Sequence, residues 1–386
     1  MTPMRVAHVI TRLIIGGAQE NTVATVLGLQ EKPDVDVRLY CGPTIGPEGS
    51  LEPLVENVDG LFHRVPKLIR PIRPLSDYLA YRQLKRGFES FRPDIVHTHS
   101  GKGGCIGRLA AGRAGVPKII HSIHGPSFGP FQGRLANGLF RSAERLAGRM
   151  TEHFVTVADA MRAQYLAAGI GQADGYTRIP SGFDIEPFLR AENSPKLRQR
   201  LGLSPGDFVV GKIARLFELK GHDDLFAIAP SLARRIPNIR FLLVGDGVWR
   251  GRFERLAKQI GCRQNFVFTG LVPPSEIPSL VGVMDALVHL SRREGLPRAL
   301  PQAMAAAKPV VAYDCDGAGE VCLDEKTGYL IAPGDLAKLE ECLAKLAGDA
   351  AARTALGQAG RALVKEEFTV EQLVERQYEL YKRLLA

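Results

Sequence analysis

The chain has 386 residues, of which 45% are hydrophobic, and its formal net charge at pH 7 is +9. A chain of this length usually divides into two domains, and this apolar content excludes an intrinsically disordered protein. No apolar run reaches the roughly 18 to 20 residues that span a bilayer. The first residues predict a strand with no signal peptide, and the six cysteines lack the spacing of a metal site or a disulfide framework. We therefore expect a two-domain protein of the cytoplasm.

Charge is distributed unevenly along the chain. Residues 61–150 contain 16 Lys and Arg against 4 Asp and Glu, so this segment carries +12 and the remainder sums to −3. Near the end of the segment, arginines alternate with apolar residues at helical spacing: Phe131, Arg134, Leu135, Leu139, Phe140, Arg141, Arg145, Leu146 and Arg149. This pattern leaves open an amphipathic helix packed on its own domain and one that lies on an anionic membrane surface. Nucleic acid is disfavoured, because no recognised nucleic-acid module is visible.

Short apolar runs alternate with longer helical segments along the chain. Strands are predicted in the first half at Val6–Ile10, Val35–Tyr40, Ile95–Thr98, Lys118–Ser122 and His153–Val157. Strands are predicted in the second half at Phe208–Ala214, Arg240–Val244, Asn265–Phe268, Ala286–Leu290, Pro309–Tyr313 and Tyr329–Ile331. Most are separated by helical segments, among them Gln19–Gln30, Arg250–Ile260 and Leu336–Leu346. This alternation predicts an α/β protein with two doubly wound parallel sheets.

A break in regular structure marks the expected domain boundary. Pro180, Gly182 and Pro187 interrupt any helix or strand, so we expect domains at 1–184 and 185–368. Ligands of doubly wound sheets bind beyond the carboxyl ends of the strands. Two such domains would therefore place the ligand in a cleft between them.

Two glycines, Gly16 and Gly17, follow the first predicted strand and precede a helix. Free backbone N–H groups and the helix dipole at such a point suit an anion. The glycines do not match the G-x-G-x-x-G dinucleotide fingerprint, which disfavours a nicotinamide oxidoreductase. An ordinary tight turn explains them equally well.

Histidines follow two strands of the first half: His97 and His99, with Lys102, after one strand, and His121 and His124 after the next. His97 and His99 must point to the same face of the sheet, because side chains alternate along a strand. Four histidines suit zinc, but no acids or cysteines accompany them, so a zinc site is disfavoured. His124 is a candidate for handling a proton, with a purely structural histidine as the alternative.

In the second half, two cations lie in one loop between a strand and a helix. Arg215 follows the strand directly and Lys220 precedes the helix. A guanidinium and an ammonium so placed suit a diphosphate, and two solvated surface side chains explain the pattern equally well. Further on, Asp314 and Asp316 form an Asp-x-Asp pair, which we interpret as a loop cap and not as a metal site.

Together these stretches resemble the retaining glycosyltransferases of the GT-B fold, specifically family four, the glycosyl transferases of group 1. The resemblance covers essentially the whole chain. Its most specific part is EGLPRALPQAMAAAKPVVA from Glu294, supported by GKIARLFELKGHDDL, LLVGDG, FTGLV and TGYLIAPGD. PDIVHTHSGKGGCIGRLAA and IIHSIHGPSFG are similar to a subgroup of that family. The resemblance implies two Rossmann-like domains, an acceptor site mainly on the first and a donor nucleotide mainly on the second. It also implies that no metal or other cofactor is needed, and that the last helix, 369–386, crosses back onto the first domain.

The resemblance also implies roles for individual residues. Arg215 and Lys220 would hold the donor diphosphate, Glu294 would face the donor sugar, and His124 would lie beside the sugar ring. The other implied donor contacts are Gly16, Gly17, Val267, Phe268, Leu296, Pro297, Arg298, Ala299 and Gln302. The implied contacts on the acceptor side are His99, Lys102 and Arg70.

The sequence departs from the family pattern at two positions. Gln302 stands where the family has a second glutamate, and an amide can still bind a ribose diol, but without a charge-assisted hydrogen bond. Pro297 replaces a commoner glycine and removes one backbone donor from the loop. Neither change argues strongly against activity.

We therefore expect a hexosyltransferase-type enzyme that transfers a sugar from a nucleotide-sugar, with a UDP-sugar as the expected donor, to an acceptor hydroxyl with retention. The expected acceptor is a lipid-linked or cell-surface polysaccharide precursor at the inner face of the cytoplasmic membrane. The leaving diphosphate would take the acceptor proton, because the sequence offers no clear pair of catalytic carboxylates. The alternatives are a nucleotide-sugar 2-epimerase of the same fold and a non-catalytic sugar-nucleotide-binding protein.

Overall fold

The computed structural model describes residues 3–46, 49–129 and 132–386. The chain divides into two compact units, one formed by residues 1–183 with 369–386 and the other by residues 184–368. We call them the N-terminal and the C-terminal unit. The division falls within one residue of the boundary predicted at 184, and the last helix belongs to the N-terminal unit.

The N-terminal unit contains a seven-stranded parallel sheet. Its strands are β1 (Met4–Ile10), β2 (Val35–Cys41), β3 (Phe62–Arg64), β4 (Ile95–His99), β5 (Lys118–Ile123), β6 (His153–Thr156) and β7 (Tyr176–Arg178). Its helices are α1 (Gly17–Gln30), α2 (Pro74–Phe91), α3 (Gly101–Arg113), α4 (Arg134–Gly148) and α5 (Asp159–Ala167), with a C-terminal helix described below. The strand order is β3-β2-β1-β4-β5-β6-β7, so the order reverses between β1 and β4.

The C-terminal unit contains a six-stranded parallel sheet. Its helices up to residue 305 are α6 (Glu186–Leu189), α7 (Pro195–Arg200), α8 (His222–Arg235), α9 (Arg250–Gln259), α10 (Ile277–Gly282) and α11 (Ala299–Ala305). The later helices are α12 (Leu336–Gly348) and α13 (Ala350–Glu367), and α14 (Val370–Leu385) returns to the N-terminal unit. Its strands are β8 (Phe208–Ile213), β9 (Ile239–Val244), β10 (Phe266–Gly270), β11 (Ala286–His289), β12 (Val310–Tyr313) and β13 (Gly328–Ile331). The order β10-β9-β8-β11-β12-β13 reverses between β8 and β11.

Every strand predicted from the sequence is present, with ends that differ by at most two residues. The two strands that the sequence analysis missed, β3 and β7, lie at the two edges of the N-terminal sheet. Each has three residues and is only partly buried, so neither shows the continuous apolar run of a central strand.

The N-terminal sheet is covered on both faces. Residues of α1 and α14 form one apolar core with alternate residues of β1, and residues of α2 and α3 form a second core with the intervening residues. The helix α14 begins where the Thr369 hydroxyl accepts a hydrogen bond from the Gln372 N–H, at 3.1 Å. Among the described residues, no helix combines the length and the apolar character that a bilayer crossing requires.

Candidate active site

In the C-terminal unit, charged side chains meet at the carboxyl ends of β8 and β11, the two strands between which the sheet order reverses. The Nζ of Lys220 lies 2.5 Å from Oε1 of Glu294 and 3.4 Å from Oγ of Ser291. The Nε2 of His289, the last residue of β11, lies 3.4 Å from the same carboxylate oxygen. We call Lys220, His289, Ser291 and Glu294 the Glu294 cluster. It occupies the point where doubly wound sheets bind their ligands.

Glu294 is held as an anion. Burial by itself would raise the pKa of this carboxyl, but hydrogen bonds and charge from His289 and Lys220 outweigh burial and leave the pKa well below its ordinary value. Burial lowers the pKa of His289, and the interaction of its ring with Glu294 acts in the opposite direction. The ammonium of Lys220 is the nearer partner of the carboxylate. A carboxylate in this state can stabilise positive charge, but it cannot act as a general acid.

The loop that carries Glu294 is fixed through its backbone. The N–H of Glu294 donates to Oδ2 of Asp316 at 2.7 Å, and the N–H of Gly317 donates to the carbonyl of Gly295 at 3.1 Å. Asp316 has a φ of 52°, in the left-handed region that aspartate tolerates better than most residues. This geometry agrees with the prediction that the Asp-x-Asp stretch caps a loop.

A buried lysine that the sequence analysis did not single out lies close to the Glu294 cluster. Lys212, on β8, is 2% exposed, and burial, with a smaller contribution from the charge of Lys220, lowers its pKa to about 7. Asp224 and Glu294 act in the opposite direction. The signal in the sequence is a lysine inside the apolar run FVVGKI, where a strand would otherwise be wholly hydrophobic.

Arg215 follows β8 with its side chain exposed. Its guanidinium carbon lies 5.8 Å from the centroid of the Phe217 ring, and no carboxylate of the described residues forms an ion pair with it. An unpaired arginine at a strand end suits an incoming anion. Its role at a diphosphate stays a prediction.

The other donor contacts predicted in the C-terminal unit lie on β10 and around α11. Val267 and Phe268 are half-buried on β10. Leu296, Pro297 and Ala299 are buried, and Arg298 is the N-cap residue of α11. Gln302 is half-buried one turn further on, where its N–H donates to the carbonyl of Arg298 at 3.2 Å. Their contacts with a donor stay predictions.

In the N-terminal unit, the residues predicted to contact phosphate or acceptor are dispersed. Gly16 and Gly17 lie at the start of α1, and Gly16 has an extended backbone with φ 174° that any residue can adopt. Arg70 is exposed before α2. Lys102 forms an ion pair with Asp77 of α2 and donates to the carbonyl of Pro71 at 2.5 Å, so its charge is already partnered.

The histidines form a different group in the structure from the one considered from the sequence. His97 and His99 share one face of the sheet, as predicted, and they are joined there by His8 of β1 and His124. His121 has the opposite parity on β5, and its Nδ1 lies 2.8 Å from the Thr98 hydroxyl on the other face. His99, predicted on the acceptor side, is buried, and its ring nitrogens bond to His8 at 2.8 Å and His124 at 3.0 Å.

Within the described residues, His8, His97 and His99 offer nitrogens that lie within 4.8 Å of one another, which would be close enough for a metal. Their ring nitrogens, however, bond to one another or to Ser122, His124 and Tyr381. No acid or cysteine completes this group in the described part of the chain. The four-histidine zinc site considered from the sequence is not assembled, because His121 lies on the opposite face of the sheet.

The sequence analysis missed His8 and Tyr381, which complete this histidine group. His8 was hidden inside the first predicted strand, and Tyr381 lies on α14, at the far end of the chain. The spacing of two along β1 shows which face His8 occupies, but only the strand order brings β1 next to β4.

Two Rossmann-like units with parallel sheets, each with a doubly wound strand order, define a GT-B fold. The solved structure of Anabaena Alr3699/HepE in complex with UDP has this fold, and it superposes with a TM-score of 0.81 at 22% identity, covering 99% of this chain and 100% of that one.

The sequence matches "Glycosyl transferases group 1" over residues 193–363 and "Glycosyl transferase 4-like domain" over residues 16–182. The chain belongs to the group 1 glycosyltransferases and is a glycosyltransferase enzyme.

Two curated relatives support this assignment. The putative glycosyltransferase EpsD of Bacillus subtilis is 30% identical over 309 residues, which is 76% of this chain and 79% of the relative. The UDP-Gal:alpha-D-GlcNAc-diphosphoundecaprenol alpha-1,3-galactosyltransferase of Escherichia coli is 26% identical over 350 residues, 90% of this chain and 88% of the relative. Further relatives bear names that specify GDP-mannose as the donor.

Proposed function

We propose that this enzyme transfers a sugar from a UDP-sugar to a hydroxyl of a lipid-linked glycan precursor, with retention of the anomeric configuration. The observation that carries the proposal is the Lys220–Glu294 pair at the carboxyl ends of β8 and β11. The pair places a cation, which can stabilise a departing diphosphate, next to a fixed anion, which can stabilise a sugar that gains positive charge.

The cations of the C-terminal unit suit the diphosphate. Lys220 has three N–H donors, and the bonds to Glu294 and Ser291 use two of them. Arg215 supplies a guanidinium that no described carboxylate neutralises. Two such cations stabilise the charge that develops on the leaving group, which is the part that a metal ion plays in other transferases. We therefore propose transfer without a metal or other cofactor.

The state of Glu294 supports retention. Because its pKa lies well below the ordinary value, this carboxylate does not protonate a leaving group. The diphosphate oxygens themselves would take the proton of the acceptor hydroxyl, on the same face of the sugar that the leaving group vacates. Attack from that face retains the configuration.

The donor base and the acceptor class are inferred from chemistry and relatives together. Half-buried Val267 and Phe268 offer apolar surface to a base, and Gln302 offers an amide to a ribose. The Escherichia coli relative is named for UDP-galactose and for an acceptor linked to a diphosphoundecaprenol lipid. A UDP-sugar and a lipid-linked acceptor follow for this chain by analogy.

A basic, apolar surface on α4 would bring the enzyme to such an acceptor. Leu135, Leu139 and Leu146 are 92%, 61% and 54% exposed, so they do not pack on the unit's own core. Arg134 and Arg145 are exposed on the same helix and Arg149 is exposed at its C-cap, whereas Phe131 lies outside the described residues. Exposed leucines among arginines suit an anionic lipid surface. We propose peripheral attachment at the inner face of the cytoplasmic membrane.

The activity is tested with purified enzyme, a panel of UDP- and GDP-sugars, and a short-chain diphospholipid-linked glycan. We expect one UDP-sugar to yield product, with an anomeric configuration by NMR that matches the donor. Arg215→Ala and Lys220→Ala should each lower kcat by about 100-fold or more. The exposed controls Arg235→Ala and Lys258→Ala should not. An inverted product, or unchanged turnover in both site variants, would refute the proposal.

The same assay separates the alternatives predicted from sequence. An epimerase would convert the donor to its 2-epimer without any acceptor. A non-catalytic binding protein would not transfer the sugar and would not show even slow hydrolysis of the donor. We expect acceptor-dependent transfer and no epimer.

Membrane attachment is tested by sedimentation with vesicles. We expect binding to phosphatidylglycerol vesicles and none to phosphatidylcholine vesicles, with loss of binding in Leu135→Ser/Leu139→Ser. Leu271→Ser removes an equally exposed leucine of the C-terminal unit and should bind like wild type. Equal binding of both variants would rule out the α4 surface.

A further inference from the structure

Six side chains of the N-terminal unit form one continuous chain of hydrogen bonds, which we call the histidine chain. It runs in the order Ser122, His97, Tyr381, His8, His99, His124. The successive distances are 2.7 Å, 2.5 Å, 3.2 Å, 2.8 Å and 3.0 Å. It ends at Nδ1 of His124, which is buried and has no partner among the described residues.

The register of the sheet explains why these groups meet. His8 pairs with His97, and His99 pairs with Ser122, across neighbouring parallel strands. All four therefore point to the same face, on which α14 packs. Tyr381 of α14 then inserts its hydroxyl between His97 and His8.

The groups of the histidine chain are neutral. Burial lowers the pKa of His8 to about 3 and of His124 to about 4, and it lowers the pKa of His97 and His99 well below the ordinary value. Burial also raises the pKa of Tyr381 well above its ordinary value. A neutral imidazole has one N–H donor and one acceptor nitrogen, so the direction of the bonds cannot change at a histidine; it can change only at the Tyr381 hydroxyl, which can accept two hydrogen bonds.

In one proton arrangement the Tyr381 hydroxyl accepts from both His97 and His8, and its own buried proton then has no acceptor among the described residues. Two further arrangements also satisfy all five bonds. In the first, Ser122 donates to His97, and each group donates to the next one up to Nε2 of His124, which then carries its proton on Nδ1. In the second, every bond is reversed, and Nδ1 of His124 is an acceptor. In the free protein, the first arrangement leaves one buried group unsatisfied among the described residues, the Nδ1–H of His124. The reversed arrangement leaves two, the proton of the buried Ser122 hydroxyl and the acceptor Nδ1 of His124. An unsatisfied buried donor costs about 1 to 3 kcal/mol.

We propose that Ser122, His97, Tyr381, His8 and His99 are positioning residues that fix His124 as the Nδ1–H tautomer, a neutral donor aimed at a sugar hydroxyl oxygen. This inference rests on the proposed function for the identity of that sugar. Once a ligand oxygen accepts the Nδ1–H, every donor of the histidine chain is satisfied. Tyr381 is the residue to substitute, because removal of its hydroxyl oxygen breaks two hydrogen bonds of the histidine chain, those to His97 and His8.

The test combines a tautomer measurement with kinetics. In protein labelled with ¹⁵N-histidine, two-bond ¹H–¹⁵N correlation spectra distinguish the Nδ1–H from the Nε2–H tautomer, and His124→Gln assigns the signal. We expect wild-type His124 to carry its proton on Nδ1, both free and with UDP-glucose added. In Tyr381→Phe we expect a mixture of tautomers and a kcat about tenfold lower, the effect of one lost hydrogen bond, with the acceptor KM within about twofold.

Tyr378→Phe is the matched control. Tyr378 lies one turn earlier on α14, where its hydroxyl donates to Asp34 at 2.6 Å, outside the histidine chain. It should leave both the tautomer and kcat unchanged. If Tyr381→Phe does not fold, Ser122→Ala removes the donor at the far end and should give the same mixture.

An Nε2–H tautomer in wild type, or unchanged spectra and kcat in the Tyr381→Phe or Ser122→Ala variant, would overturn the inference. The tautomer measurement also separates this inference from the proposed function. Wild type that shows the Nδ1–H tautomer but transfers no sugar from any UDP-sugar would refute the function and leave the tautomer assignment intact.

Discussion

Lys220 and Glu294 are 74 residues apart in the chain, yet Nζ and Oε1 lie 2.5 Å from each other. The pair exists because β8 and β11 are neighbours in the sheet, so that the loops after these strands converge. It leaves a carboxylate that stays ionised and an ammonium whose third N–H donates to no described residue. Both properties suit the charges that separate when a glycosidic phosphate bond breaks.

Glu294→Gln should lower kcat by about 100- to 1,000-fold, because the amide keeps the shape of the side chain but removes the charge that stabilises a cationic sugar. The KM for the donor should change much less. Steady-state kinetics with the UDP-sugar measures both. Glu254→Gln, at a half-exposed site on α9, is the control, and equal kinetics of the two variants would contradict the role of Glu294.

Gln302→Glu should strengthen donor binding more than it changes the chemical step. A carboxylate can make a charge-assisted hydrogen bond to a ribose hydroxyl, which is stronger than the amide's by about 1 kcal/mol, or about fivefold in Kd. Calorimetric titration with UDP measures the change. Gln199→Glu introduces the same charge at an exposed site on α7 and should not alter the Kd. A change in kcat without a change in Kd would place Gln302 elsewhere than at the ribose.

Lys212→Met should stabilise the protein, most strongly at or below pH 7. The pKa of Lys212 is about 7 in the folded chain and 10.5 ordinarily, so between these values the unfolded state binds more protons. The contribution of Lys212 to the free energy of unfolding of wild type therefore increases as the pH rises through that window. Below pH 7 the full cost of burying the charged ammonium is present. The gain is at most about 5 kcal/mol, since each tenfold change in proton affinity corresponds to about 1.4 kcal/mol.

Urea unfolding of Lys212→Met and wild type at pH 6.5 and pH 9.5 measures this effect. The difference should shrink at the higher pH. Lys258→Met, at an exposed position on α9, should match wild type at both values. A Lys212→Met protein that is less stable than wild type at pH 6.5 would show that the ammonium stabilises the fold.

The histidine chain should make the protein sensitive to acid. His8 and His124 have folded pKa values of about 3 and about 4, below the ordinary 6.5, so the unfolded state binds more protons as the pH falls through 6.5. Stability is therefore lost below pH 6.5, by about 2 kcal/mol for each such histidine at pH 5.

The free energy of unfolding, measured by urea titration from pH 7.5 to pH 4.5, tests this dependence. His8→Gln removes one of the titrating groups, so its slope against pH should be shallower than that of wild type. His63→Gln changes a histidine outside the chain, with a smaller effect expected because that side chain is only half-buried. Identical slopes in wild type and His8→Gln would mean that His8 is not buried as a neutral group.

Some features of the molecule followed from local pattern. The strands β9 and β12 contain the continuous apolar runs FLLV and VVAY, and such runs favour buried parallel strands whatever their partners. The stretch that begins at Glu294, the most specific part of the family resemblance, leads into the short helix α11. The edge strands β3 and β7 were missed because three residues carry too little periodicity.

The sequence by itself determined the two α/β units, the family, and the strand ends at which Arg215, Lys220, Glu294 and His124 lie. These follow from the periodicity and chemistry of short stretches. Tertiary structure alone decided the contacts between distant stretches: the ion pair of Lys220 with Glu294, and the insertion of Tyr381 between His97 and His8. Such contacts depend on strand order and on the path of the last helix, and no local spacing encodes either.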